Sequence, residues 1–289
     1  MKNTAYFGPG GASEDFYAKG RKSSLDMPKW LFEKGLSAFE YQCSKGVKIS
    51  EDAAKKLGRV AEENNISLSI HAPYYISLSS VEEEKRLKSI DYILNTLRAA
   101  EAMRAKRIVV HSGSCGSITR KEALLLAKNT LSSAVKAADE NGYGEISICP
   151  ETMGKVNQLG NVLEVCELCL LDERMIPTLD FGHINAQTLG GLKEKRDFEA
   201  VFDTVEKKLG AFRTKNLHIH YSRIEFTNSG EKKHHTYAEK EYGPEFSPIA
   251  EIIAERGYTP TIICESAGTQ TADSIELKKI YEEFRSKIK

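Results

Sequence analysis

Eight short apolar runs punctuate the chain, near residues 4–7, 37–42, 66–71, 106–111, 145–151, 176–180, 216–221 and 260–265. Between them apolar residues recur at three- and four-residue spacing, the signature of a helix with one buried face. Ile90, Ile93, Leu94, Leu97 and Ala100 form one such stripe. Phe198, Val201, Phe202, Val205 and Leu209 form another, and Ile275, Leu277, Ile280, Tyr281 and Phe284 a third. Strands alternating with helices eight times in 289 residues predict a (β/α)8 barrel, taken as a single domain over 1–289. Parity within the strands agrees, because successive side chains point to opposite faces. Leu68 and Ile70 oppose Ser67, Ser69 and His71; Ile146 and Ile148 oppose Ser147, Cys149 and Glu151; Leu217 and Ile219 oppose His218 and His220. The aliphatic side is expected to meet the helices and the smaller or polar side to line the barrel.

Six consecutive runs end on a residue able to bind a metal: His71, His111, Glu151, Asp180 with His183 just beyond, His218 and Glu265. A parallel barrel gathers its strand ends at one face, where barrel enzymes do their chemistry. The expectation is therefore a multinuclear metal site at the C-terminal face of the strands. Carboxylates crowded together without cations would repel one another. Imidazoles mixed with carboxylates suit zinc, or with less selectivity manganese or iron. Residues 222–246 read as a charged loop of 25 residues carrying His234 and His235, and structureless loops of that length tend to be functional.

Composition changes this picture little. Lys plus Arg and Asp plus Glu both total 41, so no basic excess advertises a nucleic-acid partner. Two or three divalent ions would, however, add roughly +4 to +6 at one face, which leaves polyanionic substrates open. No apolar run approaches the length of a membrane span, and the first residues, MKNTAYFGPGGASED, lack the apolar stretch of a signal peptide. A cytoplasmic location is expected. Cys166 and Cys169 form a CxxC on a helical pattern with no second pair, and read as packing. The Gly-Pro-Gly-Gly run and Gly190-Gly191 read as turns. Tyr74 is placed to stack on a base or sugar, and Lys232 and Lys233 to contact phosphate.

These segments resemble a known family over nearly the whole chain, most strongly from residue 66 to 266. HAPYYISL, HSGS at 111–114, PETMGKVNQLG at 150–160, LDFGH at 179–183, LHIHYS and ICES are similar, in order, to segments of the endonuclease IV family of apurinic/apyrimidinic (AP) endonucleases. The resemblance implies a TIM barrel with three zinc ions that hydrolyses the phosphodiester 5′ to abasic sites, acting as a monomer on damaged double-stranded DNA. It implies that His71, His111 and Glu151 hold a first metal, and that Glu151, the catalytic bridging ligand, shares a second with Asp180, His218 and Glu265. His183 and His234 are implied for the third. There the family supplies an Asp where this chain has Lys232, and Glu231, Glu225 or His220 are the candidate substitutes. The family's DNA-intercalating loop after strand two is not recognisable in YQCSKGVK. Sugar isomerases and epimerases of the xylose-isomerase-like barrels are the alternative, needing one metal on Glu151, Asp180, His218 and Glu265. A metal-bearing barrel that binds without turnover is a further reading.

Overall fold

The computed structural model describes residues 4–288. Its strands are β1 (Tyr6–Pro9), β2 (Ala38–Gln42), β3 (Ser67–His71), β4 (Arg107–His111), β5 (Ser147–Glu151), β6 (Thr178–Asp180), β7 (His218–Tyr221), β8 (Arg223–Thr227), β9 (Gly230–His235) and β10 (Thr261–Cys264). All but β8 and β9 form one eight-stranded sheet in the order β1-β10-β7-β6-β5-β4-β3-β2. Every ladder within that sheet is parallel. This is the TIM barrel that the alternating pattern predicts.

Around it run α1 (Glu14–Ala18), α2 (Met27–Glu33), α3 (Glu51–Glu63), α4 (Glu83–Met103), α5 (Arg120–Glu140) and α6 (Val162–Cys169). They are followed by α7 (Phe181–Gln187), α8 (Lys195–Leu209), α9 (Ala211–Lys215), α10 (Ser247–Glu255) and α11 (Gln270–Lys287). Several helices start where a side chain satisfies the first free amides, as Ser50 does for α3 and Asp180 for α7. Thr119 and Glu122 form a capping box on α5, and Asn161 and Glu164 form one on α6. No helix among the described residues is long and apolar enough to cross a membrane.

The strand phase divides the core in two. Leu68, Ile70, Ile108, Val110, Leu217 and Ile219 join the large apolar layer between sheet and helices. Val109, Cys149 and Ile176 form a separate small cluster from the opposite face, inside the barrel. Above and around that plug the interior turns polar, with Glu40, Ser69, His218 and His220 all buried.

The barrel closes between β1 and β2 by an unusually close approach. Gly10 bridges Glu40, Ser37 N donates to Phe7 O at 2.9 Å, and Gly11 N donates to Glu40 O at 2.9 Å. A Cβ at Gly8 would fall 1.7 Å from the Ala38 carbonyl oxygen, so only glycine fits there.

Residues 222–246 differ from the expected loop. β8 and β9 pair as an antiparallel hairpin with an irregularity between Glu225 and Phe226. The alternation of Ile224 and Phe226 and the turn-forming Asn228-Ser229-Gly230 account for it. Gly154 anchors the hairpin: Glu231 N donates to Gly154 O at 2.9 Å, and a Cβ at Gly154 would lie 2.6 Å from that of Glu231.

Candidate metal centre

At the C-terminal ends of the strands, nine side chains form three adjoining groups whose candidate ligand atoms lie within 4.8 Å of one another in each. His71, His111 and Glu151 form the first. Both Nε2 atoms stand 3.3 Å from Glu151 Oε2, and the rings meet edge to face with centroids 5.0 Å apart. Glu151, Asp180, His220 and Glu265 form the second. His220 Nδ1 is 2.9 Å from Glu151 Oε1 and 3.6 Å from Glu265 Oε1. His183, Glu231 and His234 form the third, with Glu231 3.5 Å from His183 Nε2 and 3.4 Å from His234 Nε2. Glu151 belongs to two groups, and its Oε1 is also 3.7 Å from His183 Nδ1 of the third. The three groups open on a cavity of about 260 Å³ whose rim carries Tyr74, Gln42, Lys155 and Gln158.

The expected second-site histidine needs correction. His218 does not join Asp180 and Glu265. It lies one layer deeper, with Nε2 2.8 Å from Glu40 Oε2, and His220 takes the place beside the carboxylates. The two histidines share a strand face, and the register decides between them: Asp180 of β6 stands level with His220, whereas His218 is level with Thr178. His220, a candidate substitute for the third group on sequence, belongs instead to the second. Glu231 fills the third group. Glu225 is turned elsewhere, bonded to Lys232 at 2.6 Å and to His235 at 3.3 Å. Lys232 and Lys233 are exposed, and neither lines the cavity.

Glu40 is the residue that sequence reasoning missed. It is fully buried on β2, and its Oε1 stands 3.1 Å from His220 Nε2 while Ser69 Oγ and His218 Nε2 reach its Oε2. Its only signal is a lone carboxylate in inward phase within an apolar strand. His220 thus stands between two carboxylates: Nδ1 is hydrogen-bonded to Glu151, and Nε2 lies 3.1 Å from Glu40 without hydrogen-bond geometry.

The electrostatics follow from crowding. Burial would raise Glu151, but His220, His111 and His71 outweigh it and hold the carboxylate well below its usual range. Glu40 is held well down against burial by His220 and His218. Burial alone would push the His71 imidazole down, yet Glu151, with Glu40 and Glu265, keeps it at about 9. His183 is kept at about 9 against burial by Asp180, Glu231, Glu151 and Glu265. His218 goes the other way: burial takes it to about 4 despite Glu40, so it is neutral. Asp180 is raised by burial and by Glu265 and Glu151, against the pull of His183.

The donor set fits a metal. Asp180 Oδ1 accepts from His183 N at 2.7 Å, which caps α7, while its buried Oδ2 has no hydrogen-bond partner. A buried carboxylate oxygen left without a partner is costly, and divalent cations are what such atoms attract. Two pH trends follow for the metal-free chain. His71 and His183, raised from 6.5 to about 9, contribute stability that is complete below pH 6.5 and is lost as pH rises through about 9. Glu151, Glu40 and Glu231, lowered from 4.5, contribute stability that is lost as pH falls below that value. Metal binding requires the neutral imidazoles and so strengthens over the interval where the free protein weakens. Thermal unfolding of chelator-treated protein should show a midpoint that drops by a few degrees between pH 6 and 9, while metal-loaded protein holds steady. Parallel curves for the two forms would refute the coupling.

A family model described as Xylose isomerase-like TIM barrel matches residues 28–283. An uncharacterized protein of Methanocaldococcus jannaschii is 31% identical over 254 residues, 88% of this chain and 90% of its own. A protein named Probable endonuclease 4 from Aster yellows witches'-broom phytoplasma is 27% identical over 219 residues, 73% of this chain and 72% of its own. Among solved structures, endonuclease IV from Thermus thermophilus superposes with a TM-score of 0.69 at 15% identity, covering 98% of this chain and 99% of that one. A D-tagatose 3-epimerase-like protein superposes with a TM-score of 0.68 at 22% identity, covering 88% and 90%. At these identities the two structures speak for the fold alone.

Proposed function

The chain belongs to the xylose isomerase-like TIM barrel family, and from that premise we propose that it is a metal-dependent endodeoxyribonuclease hydrolysing the phosphodiester 5′ to abasic sites in double-stranded DNA. The observation that carries this reading is the sharing of Glu151 between adjoining ligand groups. A one-ion sugar site has no use for His71, His111, His183, Glu231 and His234 beside a complete four-residue set. The relatives named as probable endonucleases support the same choice.

Two or three ions, zinc by the donor chemistry with manganese or iron as alternatives, would be held by His71, His111 and Glu151, by Glu151, Asp180, His220 and Glu265, and by His183, Glu231 and His234. Bound there, such ions would supply a nucleophile at neutral pH and the charge neutralisation that phosphodiester hydrolysis to a 3′-hydroxyl needs. The chain's own part is positional. Glu151 fixes the spacing of the first two groups. Glu40 sets the ring of His220 from below. Tyr74, more than half exposed at the rim, offers a face for stacking on a base or sugar. Lys155 on the cavity wall and Lys233 on the hairpin are available to phosphates.

A second reading rests on the four-residue group alone: Glu151, Asp180, His220 and Glu265 would suffice for a single-ion sugar epimerase. Cleavage of an abasic duplex, assayed beside conversion of free ketoses, separates the two. Incision 5′ to the lesion with a 3′-hydroxyl end is expected. Binding of an uncleavable abasic analogue should weaken with salt, along a slope that is shallow if few cationic side chains meet phosphates. Sugar turnover with salt-insensitive DNA binding would transfer the assignment to the epimerase.

The third group makes its own prediction. Glu231 lies where the hairpin presents it, held at about 2 by His234 and His183 against burial. Glu231→Gln should lose one ion per molecule after mild chelation while two remain, measured by elemental analysis. Lys232→Asp should retain as many ions as the parent, since Lys232 faces Glu225 rather than the cavity. A gain of one ion in Lys232→Asp would show that Glu231 does not serve.

A further inference from the structure

The opposite, N-terminal mouth of the barrel holds a second cavity, of about 380 Å³, that the proposed chemistry does not use. Its walls include Lys106, Arg107, Ser67, Asn216, Thr259 and Thr261, and no carboxylate among the described residues. The metal centre differs, with four carboxylates set among five imidazoles. In a chain with equal numbers of acidic and basic side chains, a wall with only cations and neutral donors is a local departure from the average.

Arg107 is the organising group. It shares the inward phase of Val109 and His111, and its side chain reaches across the mouth to the residues that lead into β7. Nη1 donates to Leu217 O at 3.2 Å and Nη2 to Asn216 O at 2.8 Å. These two bonds lock the plane of the guanidinium and leave three of its five N–H groups free. Among the described residues, no ion pair to a carboxylate is formed within 4.0 Å by Arg107 or by Lys106, which projects beside it. Glu40, one layer above, is already shared between His218, His220 and Ser69. Burial of Arg107 pushes its pKa down, the sign of a cation short of compensation. In the deepest wall, buried His218 Nδ1 has no hydrogen-bond partner.

The geometry points to a binding site for a phosphoryl dianion at this mouth, with Arg107 as a fixed fork, Lys106 as a mobile point charge, and the hydroxyls of Ser67, Thr259 and Thr261 and the Asn216 amide as neutral donors. A rigid guanidinium with parallel free N–H groups matches two oxygens of a phosphate, and a lysine at the entrance adds charge without fixed direction. The volume falls in the range of small-molecule sites and admits a phosphomonoester as well as the free ion. At the face opposite the strand ends, where residues serve stability, occupancy would tie β4 to β7 through Arg107 and raise the unfolding temperature by mass action. This inference stands apart from the nuclease reading and survives its failure.

The test uses metal-loaded protein prepared without phosphate or sulfate. Crystals soaked in selenate should show anomalous density beside Arg107 at the N-terminal mouth, whatever appears at the metal centre. Calorimetric titrations with inorganic phosphate and with glycerol 3-phosphate then separate the two sources, the tighter one identifying the natural class. Lys106→Ala, a change of an exposed side chain, should weaken the N-terminal binding step about tenfold while abasic cleavage is unchanged. Arg107→Gln should abolish that step, and circular dichroism would verify that it folds. Selenate found only at the metal centre overturns the proposal. So does phosphate binding that Lys106→Ala and a folded Arg107→Gln leave intact.

Discussion

Glu151→Gln is expected to lower the rate of abasic-strand cleavage by about 10²-fold or more, with the fold retained. No other described side chain touches so much of the centre. Its Oε2 stands 3.3 Å from both His71 and His111, and its Oε1 2.9 Å from His220. An amide of the same size keeps the packing of a fully buried position but is a poor ligand for a divalent ion. Here one residue would serve two ions, so the loss falls on both. Metal content should fall along with rate, and thermal unfolding of the chelated parent and variant should differ less than that of the loaded forms. A near-normal rate with full metal occupancy would end the assignment of Glu151 as the shared ligand.

Glu40→Gln is the second large effect, and it acts without touching the cavity. Breaking a buried charge pair by removing one partner costs on the order of 3–5 kcal/mol, because the remaining charge is left uncompensated; the charge in question is on His220, held up against burial by Glu265, Glu40 and Glu151, since His218 is neutral. Glu40 is hydrogen-bonded to His218 at 2.8 Å and stands 3.1 Å from His220, and all three side chains are buried. Denaturant midpoints should therefore drop sharply. Metal affinity should fall as well, by roughly 10–100-fold, since a carboxylate behind a ligating imidazole fixes its tautomer and ring plane. His218→Asn is the informative comparison: it removes the other partner of Glu40 while leaving the clasp on His220, and should disturb stability more than metal affinity. If Glu40→Gln matched the parent in both midpoint and metal retention, the buried clasp would have no role.

Much of this is legible in the chain itself. The eight strands are visible because each is a short apolar run bounded by turn residues, and their inward phase because Ser69 with His71, or Cys149 with Glu151, alternate against aliphatic neighbours. What parity cannot supply is depth along the barrel axis. His218 and His220 share a phase, and only the stagger of β7 against β6 puts the latter level with Asp180. Glu40 is hidden for a related reason: its partners come from β3 and β7, far away in sequence. The hairpin of β8 and β9 is masked by charge, since EKKHH reads as solvated surface although its backbone pairs with RIEFT. The place of Glu231 beside His183 and His234 depends on that hairpin, and so the sequence offers it only as one substitute among several.

The seam between β1 and β2 is the join at which the sheet becomes a closed wall. Few backbone bonds close it, and Gly8 is the thin point where one strand lies against the other. Glu40 sits on one lip of that seam and grips β7 across the interior, so it acts as a tie-rod inside a split hoop. Any spreading of the lips draws the rod off His220 and slackens the centre. Conversely, ions held by His220 would favour the closed seam through the same link. Metal-loaded protein is then expected to show slower amide exchange at Gly11 and Ser37, whose N–H groups close the seam, and equal exchange with and without metal would uncouple the two.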